Sequence, residues 1–399
     1  MKCKVSGKNI KPFMSFGKMP MANGFLGSNE FKDEFFYNLE VGFSEENFLF
    51  QVNDHPKSNK IFNNRYPFYT HKSNYMKIHF NNYFNWIKKN FIKNNSKVIE
   101  IGSNDGTFLK NFQEANIEHL GIEPSKNVAD LSKKNGVNVL NQFFNFENAS
   151  NLKDFKGKTD VICAANVVCH IPNLIDLIKA VDILLSKDGI FVFEEPYLGS
   201  MLKKTSYDQI YDAHVFMFSI LSVRKIFKKF NFDLVDVFPQ ITHGGSMRYV
   251  IARQGKKNIS PNVEIKIKDE VSMNMDNIKA YLEFKKNCEI SKESFVKKIL
   301  KYKNDKKKIC GYAATAKSST VLNYCKIGKD IIEFIADSTD EKIGKFSPGM
   351  HIPIVSIKEF HLKKPDIAIL FAWNHKKEIL EKEKNFSKEG GAWISHVHD

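Results

Sequence analysis

Residues Ser206 to Ser219 read SYDQIYDAHVFMFS, placing Tyr211 and His214 three positions apart just before a run of apolar and aromatic side chains. An imidazole changes charge near neutral pH, and an apolar surrounding favours its neutral, proton-accepting form. With Phe216 and Phe218 excluding water, His214 has the makings of a general base. The same histidine can instead cap the helix that follows. The stretch alone leaves both readings open.

The strongest neighbouring signal is VIEIGSNDGTFL, from Val98 to Leu109. Gly102 and Gly106 let the chain turn sharply at the carboxyl end of a strand, where α/β sheets bind ligands. The spacing is G-x-x-x-G, not the dinucleotide pattern, and Glu100, Asn104 and Asp105 set polar groups around the turn. A carboxylate at Asp105 would repel a pyrophosphate but suits a ligand carrying an amino group or a sulfonium. Glu123 then ends the next strand in GIEPS, where an acid can hold both ribose hydroxyls. Together these features favour S-adenosylmethionine over NAD. In LNQFF, Gln142 and Phe143 stand where an amide and a ring can grip adenine, although Phe143 or Phe144 fits a core equally well. Asn166 and His170, in AANVVCHIPNL, follow the fourth strand on the same sheet edge and are expected to face the ligand.

The elements that must position these groups alternate from Lys97 onward. KVIEIG, HLGIEP, VNVLN, TDVICAAN and GIFVFEEP read as strands, separated by helical segments. That alternation predicts a parallel sheet covered on both faces. FDLVDVF and MRYVIAR predict a terminal antiparallel pair. Ahead of this unit lie short strands, FFYNLEVGF and FLFQV. A helix from Ser73 to Asn94 follows, carrying Tyr75, Ile78, His79, Tyr83, Trp86 and Ile87 on adjoining turns. After Gln254 comes a polar stretch, then a helical segment from Met273 to about Tyr302. A second alternating region follows, with a helix from Thr315. Its loop, GYAATAK, lacks dinucleotide glycine spacing, so this region is expected to support the substrate site or assembly without a dinucleotide of its own. The expected domains are 1–62, 63–272 and 273–399.

A chain of 399 residues, 42% hydrophobic and 26% charged, fits two or three globular domains. Six cysteines without a CxxC pair suggest reduced thiols, and the start lacks the apolar core of a signal peptide, so a cytoplasmic protein is expected. No apolar run is long enough for a bilayer. The net charge of +15 comes from lysines spread along the whole chain, not from one basic face. No nucleic-acid partner is therefore expected, while a basic surface suits a small phosphorylated substrate.

VIEIGSNDGTFL, GIEPS, HIPNL, IYDAH, HGGSMRYVIAR and the C-terminal GYAATAK, IIEFIADST, GKFSPGMHIPI and AWN together resemble the sugar C-methyltransferases, in order over nearly the whole chain. The resemblance implies a class I methyltransferase domain with a seven-stranded Rossmann-like sheet. A small β-rich N-terminal domain and a C-terminal Rossmann-like α/β domain would flank it. It also implies S-adenosylmethionine as cofactor and a ring carbon of a nucleotide-linked 4-keto-6-deoxysugar as methyl acceptor. His214 becomes the base, with Tyr211, His170 and Tyr66 near the sugar. Tyr69, Glu195, His243, Gly244, Gly245 and Ser246 join the substrate side.

The chain departs from the family twice. The family's N-terminal domain holds zinc through two CxxC pairs, whereas here Cys3 is followed by Ser6 and the second pair is missing, so no metal is expected. The family's Tyr-His-Glu-His is Tyr211, Asp212, Ala213, His214, which leaves the glutamate's role absent or passed to Asp212 or Asp208. An O-methyltransferase remains the alternative, as does a binding protein without catalysis. The expected assembly is a monomer.

Overall fold

The computed structural model describes residues 1–64 and 66–397. The first strands, β1 (Pro12–Pro20), β2 (Phe36–Ser44) and β3 (Leu49–Val52), form an antiparallel meander. The helix Asn74–Phe91 follows, and the Ser73 side chain caps it by accepting from the Met76 amide. Its buried stripe is Met76, Phe80, Tyr83, Phe84 and Ile87, the spacing of an amphipathic helix. Ile78, grouped by the sequence with Tyr83 and Ile87 on adjoining turns, is 63% exposed while they are buried.

The central sheet comprises β4 (Lys97–Ile101), β5 (Glu118–Ile122), β6 (Val139–Leu140), β7 (Thr159–Ala165) and β8 (Leu185–Pro196). After the short β9 (Phe216–Met217) come β10 (Phe232–Gln240) and β11 (Ser246–Arg253). The order is β10-β11-β8-β7-β4-β5-β6. The five strands from β8 to β6 run parallel, and β11 lies antiparallel to both β8 and β10. Val98, Ile99 and Ile101 of β4 are buried on both faces, as a covered parallel strand requires. Reversal of β11, one strand in from the β10 edge, completes the seven-stranded sheet expected of a class I methyltransferase domain.

β9 was not foreseen. It leaves the central unit and pairs with β3, setting Met217 opposite Phe50 and Phe216 opposite Gln51. The SYDQIYDAHVFMFS stretch therefore runs straight into the N-terminal sheet.

The polar stretch after Gln254 also contains a helix, Pro261–Ser272, ahead of the long helix Ile278–Asn304. Beyond them a parallel sheet forms from β12 (Ile309–Tyr312), β13 (Ile335–Asp337), β14 (Ile354–Ser356), β15 (Ile367–Leu370) and β16 (Ala392–Ile394). Its order is β14-β13-β12-β15-β16. The helix Ala316–Cys325 buries every residue except Asn323, and Thr315 caps it. No helix among the described residues is long and apolar enough to cross a membrane.

Candidate active site

A cavity of about 360 Å³ opens at the carboxyl ends of β4 and β5. Parts of residues 58–62 and 66–70, of the loop ending in His214 and of the C-terminal sheet unit line it as well.

At one end stands the turn after β4. Gly102 has φ +69°, and a Cβ there would lie 2.4 Å from the Val167 side chain, so only glycine fits. Asn104, also left-handed at φ 50°, accepts through Oδ1 from the Thr70 amide and hydroxyl. Glu123 accepts from the backbone amides of Asn104 at 2.9 Å and Ser125 at 2.7 Å, which ties the ends of β4 and β5 together. Glu100, Gly102, Asn104 and Glu123 all border the cavity. The Glu100 carboxyl is buried with Oε2 unpartnered. Burial, with the Glu123 and Asp105 charges added, raises its pKa well above the ordinary carboxylate value. Such a group awaits a cationic or donor partner. Phe143 and Phe144 border the cavity too, with Phe143 37% exposed and Phe144 in the core.

Three expectations at this end are corrected. Asp105 does not border the cavity: it is 1% exposed and accepts through Oδ2 from the His71 amide at 2.9 Å, with the His71 ring Nδ1 at 2.8 Å. It holds the covering segment down. Gly106 turns the backbone at φ +79° behind the cavity wall, against Ser132. Gln142 also falls outside the lining.

The other end is built on histidines. The Nδ1–H of His214 donates to the Gln209 carbonyl at 2.7 Å, so Nε2 is the acceptor and receives the Tyr211 hydroxyl at 2.6 Å. Burial, reinforced by the nearby His170 ring, drives the His214 pKa well below the usual histidine value and keeps it neutral. His170 likewise donates Nδ1–H, to the Ala213 carbonyl at 2.6 Å, and burial lowers its pKa. Its Nε2 is thus an acceptor, suited to a hydroxyl and unsuited to polarising a keto oxygen. The rings against His214 are Tyr211 at 4.0 Å and His170 at 5.2 Å. Phe216 and Phe218, expected to shield it, are fully buried and pack on each other.

Tyr211, His214, His170, Asn166 and Tyr66 all border the cavity. Asn166, left-handed at φ 57°, buries an unpartnered Oδ1. Glu195 does not border it and instead accepts from the Val167 and Val168 amides, fixing the turn that carries His170. Neither aspartate borders the cavity. Asp212 accepts from the Ala22 amide at 3.1 Å, and Asp208 from the Trp373 indole at 2.7 Å.

The third wall carries positive charge. Lys317 and Lys342 border the cavity with His243, Asn374 and His375. Burial brings Lys317 down to about 8, and its ammonium donates to Asn374 Oδ1 while lying over Trp373. His243 sits left-handed at φ 53° with a buried, unpartnered Nε2, and burial, then the Lys317 charge, brings it to about 3. Its neighbours are corrected. Gly244 lies flat on Trp373, where a Cβ would meet the ring at 2.1 Å, and Gly245 packs on Ser200. Ser246 donates to the Thr242 carbonyl, and Tyr69 accepts from Asn127; none of these four borders the cavity. The sequence reading missed Lys317 and Lys342. The only hint at Lys317 was its place in GYAATAK beside a helix start.

Comparison with known proteins defines the class. The family described as "Methyltransferase domain" matches residues 75–237, and "C-methyltransferase C-terminal domain" matches residues 241–397. The C-methyltransferase NovU of Streptomyces niveus is 31% identical over 298 residues, covering 74% of this chain and 71% of that protein. The chain belongs to the C-methyltransferase family. It is an S-adenosylmethionine-dependent methyltransferase. Among solved structures, a SAM dependent methyltransferase from Archaeoglobus fulgidus is 16% identical with a TM-score of 0.37, covering 45% of this chain and 93% of that one. The PH0226 protein from Pyrococcus horikoshii OT3 is 14% identical with a TM-score of 0.39, covering 50% of this chain and all of that one. Likenesses at that score carry no argument.

Residues 3–62 match the family described as "Putative zinc binding domain". This corrects the reading of the N-terminal domain as a zinc-less type: its sequence matches the putative zinc binding family. Its ligand set has changed, however. Cys3, Ser6, Ser44 and Asn47 fall at the spacing of two CxxC pairs. The Asn47 amide donates to Cys3 Sγ at 3.5 Å and Ser44 Oγ at 3.4 Å. Lys229 places its ammonium 2.5 Å from Asn47 Oδ1. One thiol, two hydroxyls and an amide do not fit a four-coordinate zinc site, and a lysine supplies the positive charge.

Proposed function

We propose that this C-methyltransferase acts on a ring carbon next to the keto group of a nucleotide-linked deoxysugar. The observation that carries the reading is the neutral Tyr211–His214 pair facing the same cavity as the turn after β4. A carbon becomes nucleophilic only when a proton beside the carbonyl leaves, and an uncharged imidazole with an acceptor nitrogen is suited to receive it. His214 Nε2 is the acceptor, and the Tyr211 hydroxyl hydrogen-bonded to it relays the proton. The sugar-carbon proton goes to the Tyr211 oxygen as the Tyr211 proton moves to Nε2. The carbanionic carbon then takes the methyl group, whose bond to sulfur breaks.

Gly102, Asn104, Glu123 and Phe143, which border the cavity, would hold S-adenosylmethionine, with Glu123 suited to its ribose and Phe143 to its adenine. The cofactor supplies an electrophilic methyl on a cationic sulfur. Lys317, Lys342 and the lone imidazole of His243 suit the diphosphate of a nucleotide-linked substrate, and His170 Nε2 suits a sugar hydroxyl.

The test incubates the protein with labelled S-adenosylmethionine and a panel of nucleotide-linked keto sugars, then locates the methyl by NMR. Label on a carbon beside the keto group is expected. Label on oxygen, or turnover only with acceptors lacking a carbonyl, would reject the reading.

A further inference from the structure

The residues preceding His214 are tied to the C-terminal unit by side chains that the proton transfer does not use. Asp208 is completely buried. The Trp373 indole N–H donates to its Oδ2 at 2.7 Å, and His396 Nε2 stands 3.3 Å from its Oδ1. From the helix Ala316–Cys325, Thr320 donates its hydroxyl to the Ile210 carbonyl at 3.0 Å, and Cys325 Sγ meets the Tyr207 hydroxyl at 3.4 Å. Between these two anchored residues lies Gln209, whose carbonyl receives His214 Nδ1–H.

The order of contacts makes one atom decisive. His214 exposes an acceptor at Nε2 only while Nδ1 keeps its proton, and the Gln209 carbonyl enforces that tautomer. That carbonyl is aimed by the 3-10 turn Tyr207–Gln209, and Asp208 is the turn's central residue. We propose that Asp208 is a positioning residue, through which the C-terminal unit holds the Gln209 carbonyl against His214 and so sets the base's tautomer. Asp208 does not border the cavity. The second aspartate, Asp212, ties the other side of the loop to Ala22. The two carboxylates that looked able to replace a missing active-site glutamate thus span the loop from opposite flanks.

This inference rests on His214 being the proton acceptor, and its primary readout needs no substrate. In ¹⁵N-labelled protein, the His214 ring should show protonated Nδ1 and unprotonated Nε2. Asp208→Ala should mix the tautomers while S-adenosylmethionine binds as before. Turnover per cofactor-binding site should fall about 10²-fold, as for a small misplacement of a reacting group, with KM far less affected. Asp208→Asn retains an acceptor for the Trp373 N–H and should restore most of both signals. Trp373→Phe keeps a ring against Gly244 but removes the donor, and should give the same change in weaker form. Should Asp208→Ala fail to fold, Trp373→Phe decides alone. A wild-type His214 spectrum in every folded variant would overturn the proposal. Absence of sugar methylation by the wild type would reject the substrate assignment, while the tautomer measurement would still decide this one.

Discussion

At the β4 turn, Gly102, Asn104 and Glu123 come from two adjacent strand ends and are locked by backbone hydrogen bonds. At the opposite end, Tyr211 and His214 sit on a loop fastened by Ala22 on one flank and by Thr320, Cys325 and Trp373 on the other. The first end is made by local sequence and would survive rearrangement of the flanking units. The second exists only when three parts of the chain are assembled. Cofactor capture and proton transfer should therefore be separable by mutation, and separable in one direction. Damage to the flanking units should abolish the second while sparing the first.

The largest effect tests that separation directly. His214→Asn should remove about 10²–10⁴-fold of turnover, the usual contribution of a general base, and leave S-adenosylmethionine affinity unchanged. Calorimetry for the cofactor and initial rates for the keto sugar check both halves. Near-normal turnover would make His214 a structural residue, and a parallel collapse of affinity would show that the two ends are one unit.

The converse variant is Glu123→Ala. It removes a carboxylate that holds two backbone amides and faces the cavity. Cofactor binding should weaken by about 1.5–3 kcal/mol, as for a hydrogen bond to a charged group, with turnover at saturating cofactor largely retained. Unchanged affinity would place the cofactor elsewhere. Glu100 sharpens the same point through pH. Burial and its carboxylate neighbours raise its pKa, which favours the protonated carboxyl. Raising the pH ionises it, and an ionised carboxylate attracts a cationic ligand, so affinity should increase with pH. Glu100→Gln should flatten that dependence, and a flat wild-type profile would remove Glu100 from the site.

The same contrast explains how much the sequence disclosed. The β4 turn was legible because glycine spacing, a strand and an acid at the next strand end are neighbours in the chain. Even there, side-chain direction escaped: Asp105 reads as a ligand-facing acid, yet the covering segment's His71 occupies it. At the histidine end, Tyr211 and His214 were visible as residue types. Their hydrogen bonds were not, because Gln209 and Ala213 contribute carbonyls that any residue possesses. Phe216 was read as a shield, yet it lies in a strand completed by a partner some 165 positions away in Gln51. Lys317 was hidden in a helix start whose burial depends wholly on packing with other units. The parallel strands and the terminal antiparallel pair followed from alternation, since helix and strand periods are local; the order of strands in each sheet did not. Contacts between units have no such period.

The smallest effect concerns His243, where the wall between the units stores an unpaired imidazole. Burial, with Lys317 nearby, brings its folded-state pKa to about 3, while an unfolded histidine titrates near about 6.5. Below the latter value the unfolded chain binds a proton that the folded chain refuses. Stability from this residue is therefore complete above the unfolded pKa and is lost as pH falls toward the folded one. The slope is at most about 1.4 kcal/mol per pH unit. His243→Asn should remove that share of the acid sensitivity, because asparagine tolerates the left-handed backbone yet does not titrate. Urea unfolding at a series of pH values between neutrality and mild acid checks it. A slope unchanged by the substitution would mean that the imidazole is already solvated, and that the wall holding Lys317 is open in the folded protein.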